Sequence, residues 1–562
     1  MSSPDLPDLA NRLTSGDLFT AANAGLVAAD AAVEPDTDIV ATFYSNTYGQ
    51  PERCGDYSSL RVAWPRNDVE TGRIVLKGGD PLIPIARACS RTVVPVTIEA
   101  GYMLFNGRVT DTDYAMDAQG NWTCTCTLTG DTNYLNHVLC WVNFITPIEY
   151  QGPLQDAIYA GPACSVIEAL ITEQCWRLQL GLYGILNNLS SFNANWRAWF
   201  GSWLESNGDI FEMLTTPVYV VHHDIVLDTS PWVAILGRFD IILDLIKQTI
   251  KDNGLDLEVK LWRKGDPQPD PHANLKVATY VVTVRDRSGI TGPTQTFVDG
   301  LLEDVAQLQQ GAFGQNLSPF EGAAAQRLAS EGIYIAPEIG VDFTPPWAMI
   351  VMDHPKTPLI SAHIYDHHTM AYQLVIGGKS PQWLDDFINE TLEWFVDAIQ
   401  ILVGITGIPD TLFDGLFDDT IDAFELVDNA DRRGENGPYC YPEQMFPSVS
   451  TPYNVLAWLS LIEAGWDTRG WTAAKVSFLN GFPLKVGRDV FRGGLMALAL
   501  MEDAVVHMDY VENIELIDDR KTRARVEVSV GDGKLGENPM TIFQRKITDA
   551  VKSIKVLTLS SN

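Results

Sequence analysis

Short runs of alternating hydrophobic and polar residues dominate the chain between residue 36 and about residue 150. Alternation with a period of two predicts strands that bury one face of a sheet. Turn residues separate the runs, as in Lys77–Pro81 and Asp117–Asn121, and this spacing predicts an all-β barrel or sandwich over residues 36–152. The predicted strands are Ile39–Tyr44, Ser59–Trp64, Gly72–Leu76, Pro95–Ala100, Phe105–Thr110 and Trp122–Thr129.

The hydrophobic period becomes helical from Pro153 to Leu214. Aromatic residues recur there at spacings of three and four, which places them on one helix face. Such a stripe is typical of core packing, and a surface that binds sugar or a partner helix is the alternative. The aromatic stripe consists of Phe192, Trp196, Trp199 and Trp203.

An α+β pattern follows the aromatic stripe. Phe239–Asn253 has the apolar spacing of an amphipathic helix, and Gly254 is placed to cap its C-terminus. Runs rich in β-branched residues surround this helix and predict strands. These strands are Val218–His222, Leu257–Trp262 and Lys276–Arg285.

The second half of the chain mixes both periods. A strand at Ala371–Ile376 precedes a helix with Ser380 as its N-cap and Pro381 at its first position. The acidic run Asp410–Asp431 is interleaved with apolar residues and is typical of a solvated amphipathic face, with calcium binding as the alternative. Strands return from about residue 450, and a helix is predicted near Met540–Ile554.

These patterns predict a multi-domain α+β chain, rich in β-barrels or sandwiches, with helical and α+β insertions. A length of 562 residues is enough for about three or four domains, each with a full core. The predicted divisions are an N-terminal leader at 1–35, a β-barrel domain at 36–152, a helical and α+β domain at 153–300, an α+β domain with a long amphipathic helix at 301–445, and a β-rich domain with a terminal helix at 446–562.

Charge excludes one large class of function. The chain has 72 acidic and 39 basic side chains, for a formal charge of −33. Proteins that bind duplex DNA need clustered Lys and Arg, and no such stripe is present in the sequence. Met1–Gly16 lacks the pattern of a secretory signal, and no apolar run approaches the roughly 20 residues of a membrane span. We therefore expect folding in a cytoplasm.

The eight cysteines show no CxxC pair and no paired spacing. Cys124 and Cys126 lie two apart in a predicted strand, so they point to the same face. Two buried, small apolar side chains are the favoured interpretation, and half of a metal site is the alternative.

Two glycine motifs resemble nucleotide-binding loops, and each departs from the pattern. Gly531–Gly536 matches GxGxxG after a predicted strand, but too little chain follows to complete a doubly wound sheet, so a Gly-rich β-turn is favoured. Gly378-Lys379-Ser380 resembles the end of a phosphate loop, but the required earlier glycine is Gln373. Neither motif predicts a cofactor.

Histidines and aspartates form the densest group of possible metal ligands. A solvated strand face explains the group, and a zinc or other transition-metal site is the alternative. Asp111 and Asp113 begin like a calcium loop, but Ala115 replaces the third ligand, so a hairpin is favoured. The group of possible ligands is His354, His363, His367 and His368 with Asp353 and Asp366.

No catalytic, cofactor-binding or metal-binding residue is predicted, and we expect the protein not to be an enzyme. The sequence contains no GxSxG motif, and no cysteine has an identifiable histidine partner. The function is therefore expected to lie in domain surfaces that assemble with other proteins.

Several ordered segments resemble the baseplate-hub or minor tail proteins of siphophages, as found in actinobacteriophages. Each segment is mainly a turn or a cap, and their order over roughly residues 40–560 carries the resemblance. The segments are Trp64–Arg66, Pro95–Glu99, Phe105–Val109, Gly120–Gly130, Tyr134-Leu135, Trp141–Asn143, Val284–Gly289, Gly377–Trp383, Asp422–Phe424, Gly437–Tyr439 and Gly481–Asp489.

The resemblance implies a structural virion protein at the tail tip or baseplate that assembles in the host cytoplasm, forms a homotrimer and takes part in DNA ejection. The implied partners are the distal tail protein, the tape measure protein and other tip proteins, with possible contact to the host cell envelope. No specific nucleic-acid binding and no cofactor are implied. Family members often carry lysin domains after the hub, and we expect none before residue 562.

Two other functions remain as alternatives. A tail-tip cell-wall hydrolase would use the His354–His368 group. A carbohydrate-binding adhesin would use the Trp196, Trp199 and Trp203 stripe.

Overall fold

The computed structural model is mostly β-sheet, with three α-helices among the residues that it describes. This agrees with the coarse fold class expected from the sequence, and the strand content is higher than its α+β label suggests. The structure describes residues 38–146, 148, 151, 156–179, 218–288, 290–300, 334–336, 341–343, 348–355, 357, 359–368, 371–377, 425–428, 433–434, 436–447, 471–481, 484–500, 505–531, 545 and 549.

All six strands predicted before residue 150 are present. Along β7, Cys124, Cys126 and Leu128 are buried and alternate with more exposed residues, which is the period that predicted the strand. The structure adds one short helix that the sequence pattern did not predict. The elements are β1 (Ile39–Phe43), β2 (Glu52–Cys54), β3 (Tyr57–Pro65), β4 (Thr71–Lys77), α1 (Leu82–Arg87), β5 (Pro95–Ala100), β6 (Met103–Met116) and β7 (Trp122–Gly130), with 3-10 turns at Ala88–Ser90 and Asp131–His137.

The next described ranges, 156–179 and 218–288, contain two helices and five strands. The helix predicted at Phe239–Asn253 is present over a slightly shorter range, and Gly254 has a φ of 64°, as its capping role requires. The elements are β8 (Ala157–Pro162), α2 (Ala163–Gln179), β9 (Val218–Val220), β10 (Trp232–Gly237), α3 (Ile242–Asp252), β11 (Leu255–Trp262) and β12 (Thr279–Asp286).

The prediction of helix from Pro153 onward is wrong for residues 157–162, which form β8. Its partner is β10, antiparallel and about 70 residues later, with Trp232 opposite Pro162. A periodicity within one segment carries no information about such a distant partner.

The remaining described strands lie in the second half of the chain. β18 begins two residues after the predicted start at Ala371, and strands after residue 450 are present as predicted. They are β13 (Ile290–Thr291), β14 (Tyr334–Ala336), β15 (Val341–Phe343), β16 (Ala348–Val351), β17 (Ser361–His367), β18 (Gln373–Gly377), β19 (Glu425–Asp428), β20 (Glu443–Pro447), β21 (Trp471–Leu479), β22 (Leu495–Leu500), β23 (Val505–Asp518) and β24 (Arg525–Val530).

One 13-stranded sheet joins strands from both halves of the described chain. Its main path is β17-β21-β24-β23-β3-β4-β7-β6-β5-β1-β2, and β22 connects β16 to β23. At its centre β23 pairs antiparallel with β3, from Asn513 opposite Pro65 to Asp518 opposite Leu60. We call this β3–β23 pairing the seam.

Strands on both sides of the seam bury their side chains in a single hydrophobic cluster, the sheet core. Phe43 and Phe105 come from the N-terminal side, and Phe478 and Leu516 from the C-terminal side; all four are fully buried. The separate domains predicted at 36–152 and 446–562 thus share a sheet and a core, and the boundaries at residues 152 and 446 stay predictions.

A second cluster, the helical core, is built from residues between Leu135 and Val284. Ile167 of α2 and Ile246 and Ile250 of α3 pack in it with the inward side chains of β11 and β12. In α3 the buried residues Leu243, Ile246 and Ile250 recur at spacings of three and four, as a helix with one buried face requires.

Several predicted elements lie outside the described residues. These are the leader, the aromatic stripe, the helix after Ser380, most of the acidic run, and the terminal helix apart from Arg545 and Asp549. In the described part of the chain, no helix is both long and apolar enough to cross a membrane.

Candidate functional site: a charged cleft between the two cores

Arg492, in the loop before β22, joins the sheet core to the helical core. Its Nη1 donates to Glu70 Oε1 at 3.0 Å and to the Pro65 carbonyl at 3.2 Å. On the other side, Nε donates to Asp256 Oδ1 at 3.1 Å and Nη2 to the Leu257 carbonyl at 2.8 Å. The rigid fork of donors on one guanidinium therefore connects the end of β3 to β11.

This connection is buried. Side-chain exposure is 10% for Arg492, 9% for Glu70 and 5% for Asp256. Burial alone would lower the pKa of Arg492, but Asp256, Glu70 and Glu258 outweigh burial and raise it. The guanidinium is thus charged, and removing it would leave two carboxylates buried without their main partner.

Arg66 and Asn67, just after β3, make a second connection. The Asn67 amide donates to the Leu255 carbonyl at 2.7 Å and accepts from the Leu257 N–H at 3.0 Å, as a strand edge would. Arg66 donates to Glu512 Oε1 at 2.9 Å and to the Gly254 carbonyl at 3.1 Å. The cap of α3 is therefore tied to the sheet.

A third connection surrounds Asp131, whose side chain is fully buried. Tyr48 Oη, Asn106 Nδ2 and Arg108 Nη2 each donate to it at 3.1 Å. Arg108 Nη2 also donates to Tyr280 Oη at 3.1 Å, which reaches β12 of the helical core. Polar groups buried here have partners, so the contact stabilises one relative placement of the two cores.

The first connection lines a cleft of about 200 Å³, to which Arg492, Glu70 and Asp256 all contribute. Four segments that resemble the tail-protein family contribute to its wall although they are far apart in sequence: Trp64–Arg66, Phe105–Val109, Val284–Gly289 and Gly481–Asp489. The lining residues are Trp64, Glu70, Tyr102, Met103, Leu104, Asn106, Asp256, Glu258, Val259, Lys260, Arg285, Arg287, Val486, Gly487, Phe491, Arg492 and Ile514.

Glu258 on β11 organises one wall of the cleft. Lys260 Nζ lies 2.8 Å from its Oε1 and Arg285 Nη1 lies 3.1 Å from its Oε2. Burial would raise the pKa of Glu258, but Lys260, Arg285 and Arg492 outweigh burial and lower it. Glu258 is therefore an ionised acceptor and not an acid that donates a proton.

Arg287 on the same wall is held differently. Its guanidinium lies over the ring of Phe491, with 4.5 Å from Cζ to the ring centroid. Its buried Nε has no hydrogen-bond partner. Burial lowers the pKa of Arg287, and the nearest carboxylates only partly oppose that effect. The sequence contained no signal for this site beyond the turn motifs, because its charges come from separate elements.

The chemistry of the cleft is that of ion pairing. Its lining, as the structure describes it, includes no Ser, Thr, Cys or His, and Tyr102 supplies its one hydroxyl. Its three carboxylates already have cationic or hydroxyl partners. The arrangement can hold two cores together and can bind an anion.

The histidine group considered as a metal site is only partly brought together. His363 and His367 are exposed on β17, and the His368 ring lies 5.5 Å from that of Tyr441. Across the described residues, no group of three or more His, Cys, Asp or Glu could hold a metal ion. The zinc alternative therefore has no complete ligand set in this part of the chain.

The other candidate motifs are structural where they are described. Cys124 and Cys126 are buried side by side on β7, and all eight cysteines are free. Asp111 and Asp113 are exposed on β6 within the β6–β7 hairpin. Gly531 follows β24 with a φ of 79°, whereas the rest of its motif and Gly378-Lys379-Ser380 lie outside the described residues.

Comparison with known proteins identifies the family. Residues 42–532 match the family described as Siphovirus ReqiPepy6 Gp37-like protein. The chain belongs to this family. The resemblance to siphophage tail proteins inferred from the sequence is thereby confirmed. No curated protein matches the chain.

Solved tail proteins share low similarity with the chain. The tail protein from Neisseria meningitidis MC58 is 9% identical, with a TM-score of 0.39 over 89% of this chain and 98% of that one. The 43 kDa tail protein of prophage MuSo2 from Shewanella oneidensis is 8% identical, with a TM-score of 0.37 over 90% and 99%. Prophage tail protein gp18 from Listeria monocytogenes EGD-e is 8% identical, with a TM-score of 0.35 over 91% and 99%.

Proposed function

We propose that this Gp37-like protein is a structural hub at the tail tip of a long-tailed phage, linking the tail tube to tip and host-recognition proteins. The family assignment over residues 42–532 carries the proposal. The proposed role is assembly without catalysis.

The joined cores support this role physically. A tail component transmits force and position between neighbours, so its own parts need a defined relative placement. Arg492, Asn67 and Asp131 supply three buried connections between the cores. All eight cysteines are free, so this placement depends on packing and ion pairs rather than on disulfides.

The proposed assembly is a homotrimeric ring in the virion, formed in the host cytoplasm. Its proposed neighbours are the distal tail protein, the tape measure protein and other tip proteins, and it takes part in DNA ejection and in contact with the host envelope. The formal charge of −33 supports a lumen that does not retain DNA, because a negatively charged protein surface repels the DNA phosphates.

Immunogold labelling of purified virions tests the proposal. An antibody against the chain is expected to label the end of the tail distal to the head, and an antibody against a head protein serves as the control. Absence of the chain from purified virions, or labelling confined to the head, would overturn the proposal. A zymogram on host cell walls that shows clearing by the purified protein would contradict the non-catalytic role.

A further inference from the structure

The cleft between the cores contains one more cation than carboxylates. Lys260, Arg285, Arg287 and Arg492 face three carboxylates, so the lining has a surplus of one positive charge (four minus three). The whole chain has a formal charge of −33, which makes a locally cationic cleft unexpected. Such a charge contrast is a feature of sites that bind anionic groups.

The surplus charge belongs to Arg287. The carboxylates nearest to it are engaged elsewhere: Asp256 accepts from Arg492 Nε at 3.1 Å, and Glu258 pairs with Lys260 and Arg285. Asp286 accepts from the Ser288 N–H at 2.9 Å. Among the described residues, the Arg287 side chain has neither a hydrogen bond nor an ion pair, and its Nε is buried without a partner.

The geometry prepares Arg287 to bind a ligand. The Phe491 ring, with its centroid 4.5 Å from Cζ, positions the guanidinium, and guanidinium N–H groups suit a planar acceptor. Gly493 lies near the aliphatic part of the side chain, since an ideal Cβ there would be 3.5 Å from Arg287 Cγ. The contact with the Phe491 ring thus orients the guanidinium before any ligand arrives, which lowers the entropic cost of binding.

We propose that this cleft binds a carboxylate side chain from an acidic segment of another tail protein, with Arg287 as the main donor. A volume of about 200 Å³ is below the range of about 300–1,000 Å³ typical of small-molecule sites, and it suits a single side chain. One surplus charge matches a monoanion. A phosphate monoester carries about −1.5 to −2 charges and would leave the cleft negative.

That the segment comes from a tail protein rests on the proposed function, whereas carboxylate binding does not. The test therefore uses the purified full-length chain and a capped hexapeptide of alternating glycine and glutamate, with its glutamine counterpart as control. Calorimetric titration at about 20 mM salt is expected to show binding of the glutamate peptide alone, and binding should weaken sharply at about 500 mM salt.

Two variants test whether peptide binding depends on Arg287. Arg287→Gln is expected to weaken binding by at least about tenfold, since it removes the charged donor. Arg73→Gln, which removes an exposed arginine on β4, is expected to bind as the wild type does. If Arg287→Gln fails to fold, Phe491→Leu removes the supporting ring and is expected to weaken binding as well.

Three results would overturn the proposal. They are equal binding of both peptides, unchanged binding by Arg287→Gln, and displacement of the glutamate peptide by inorganic phosphate at lower concentration than by acetate. Self-association of the chain that Arg287→Gln abolishes and Arg73→Gln preserves would replace the proposed partner by a second copy. Each of these results is independent of where immunogold places the chain in the virion.

Discussion

The sheet core and the helical core are assembled from the chain in opposite ways. The helical core uses residues between Leu135 and Val284, so its strands and helices are near neighbours in sequence. The sheet core depends on the seam, where Arg61 and Glu515, 454 residues apart, form an ion pair across β3 and β23. The first core is therefore built from one continuous stretch of the chain, whereas the second requires strands from both halves of it.

The charged cleft lies where the two cores meet. Arg492 contacts both cores. Loss of either core would therefore expose its carboxylate partners to solvent or leave them without their cation. We therefore expect the two cores to be energetically coupled, although only the sheet core needs the C-terminal strands.

The largest effect is expected from Arg492→Met. Removing the guanidinium leaves Glu70 and Asp256 buried without their main cation, which should lower the free energy of unfolding by about 3–5 kcal/mol. Arg488→Met is the matched control, because its exposed pair with Asp489 should contribute about 0–1 kcal/mol. Denaturant titration checks both variants, and a loss for Arg492→Met no larger than for Arg488→Met would mean that the cores are uncoupled.

Leu516→Ala tests the seam. Leu516 is fully buried on β23, and its truncation should cost about 2–5 kcal/mol. Native-state hydrogen exchange should then become faster in β4, on the other side of the seam. The reason is that a weakened β23 supports β3 less well, and β3 is the strand that pairs with β4. Leu170→Ala in α2 should cost a similar amount but leave β4 protected. Faster exchange confined to β24 after Leu516→Ala would contradict a shared sheet core.

Tyr57→Phe should have a smaller effect. The Tyr57 hydroxyl donates to the buried carboxylate of Asp518 across the seam at 2.7 Å, and losing a bond to a charged group costs about 1–3 kcal/mol. Tyr44→Phe removes a 3.1 Å bond to the neutral Thr97 hydroxyl and a long 3.5 Å bond from Arg263, and neither of these bonds crosses the seam. Thermal unfolding should rank Tyr57→Phe as the more destabilised variant, and the reverse order would count against the seam as the critical contact.

The smallest expected change in stability is its pH dependence, which arises in the helical core. His223 Nδ1 lies 2.6 Å from buried Glu168, and this hydrogen bond raises the pKa of His223 above its usual 6.5. The contribution of the His223–Glu168 pair to the free energy of unfolding is therefore complete below about pH 6.5. It is lost as the pH rises through the raised pKa of His223. His223→Gln should flatten this part of the stability profile, and His137→Gln should not. An unchanged slope in His223→Gln would assign the pH dependence to another group.

Elements with a local hydrophobic period could be predicted from the sequence. Ile242, Ile246 and Ile250 recur at helical spacing before Gly254, and Cys124, Cys126 and Leu128 alternate as in a strand, so α3 and β7 were predictable. The pairing of β8 with β10 was not, because a strand's partner is chosen by tertiary packing.

The cleft could be predicted only in part. Its turn motifs were recognised, but no site residue was predicted, because Glu70, Arg287 and Arg492 gain their roles only when three distant segments meet. A sequence pattern shows where charges occur. It does not show which of them will be buried together or which one will lack a partner.

The most direct test of the central claim is an electron-microscopic reconstruction of the phage tail tip. The account predicts copies of this chain around the tail axis, with the sheet core and the helical core fitting the density as one rigid unit. A tail tip without density for the chain would contradict the proposed function. Density in which the two cores are separated would contradict the role of the buried Arg492 connection.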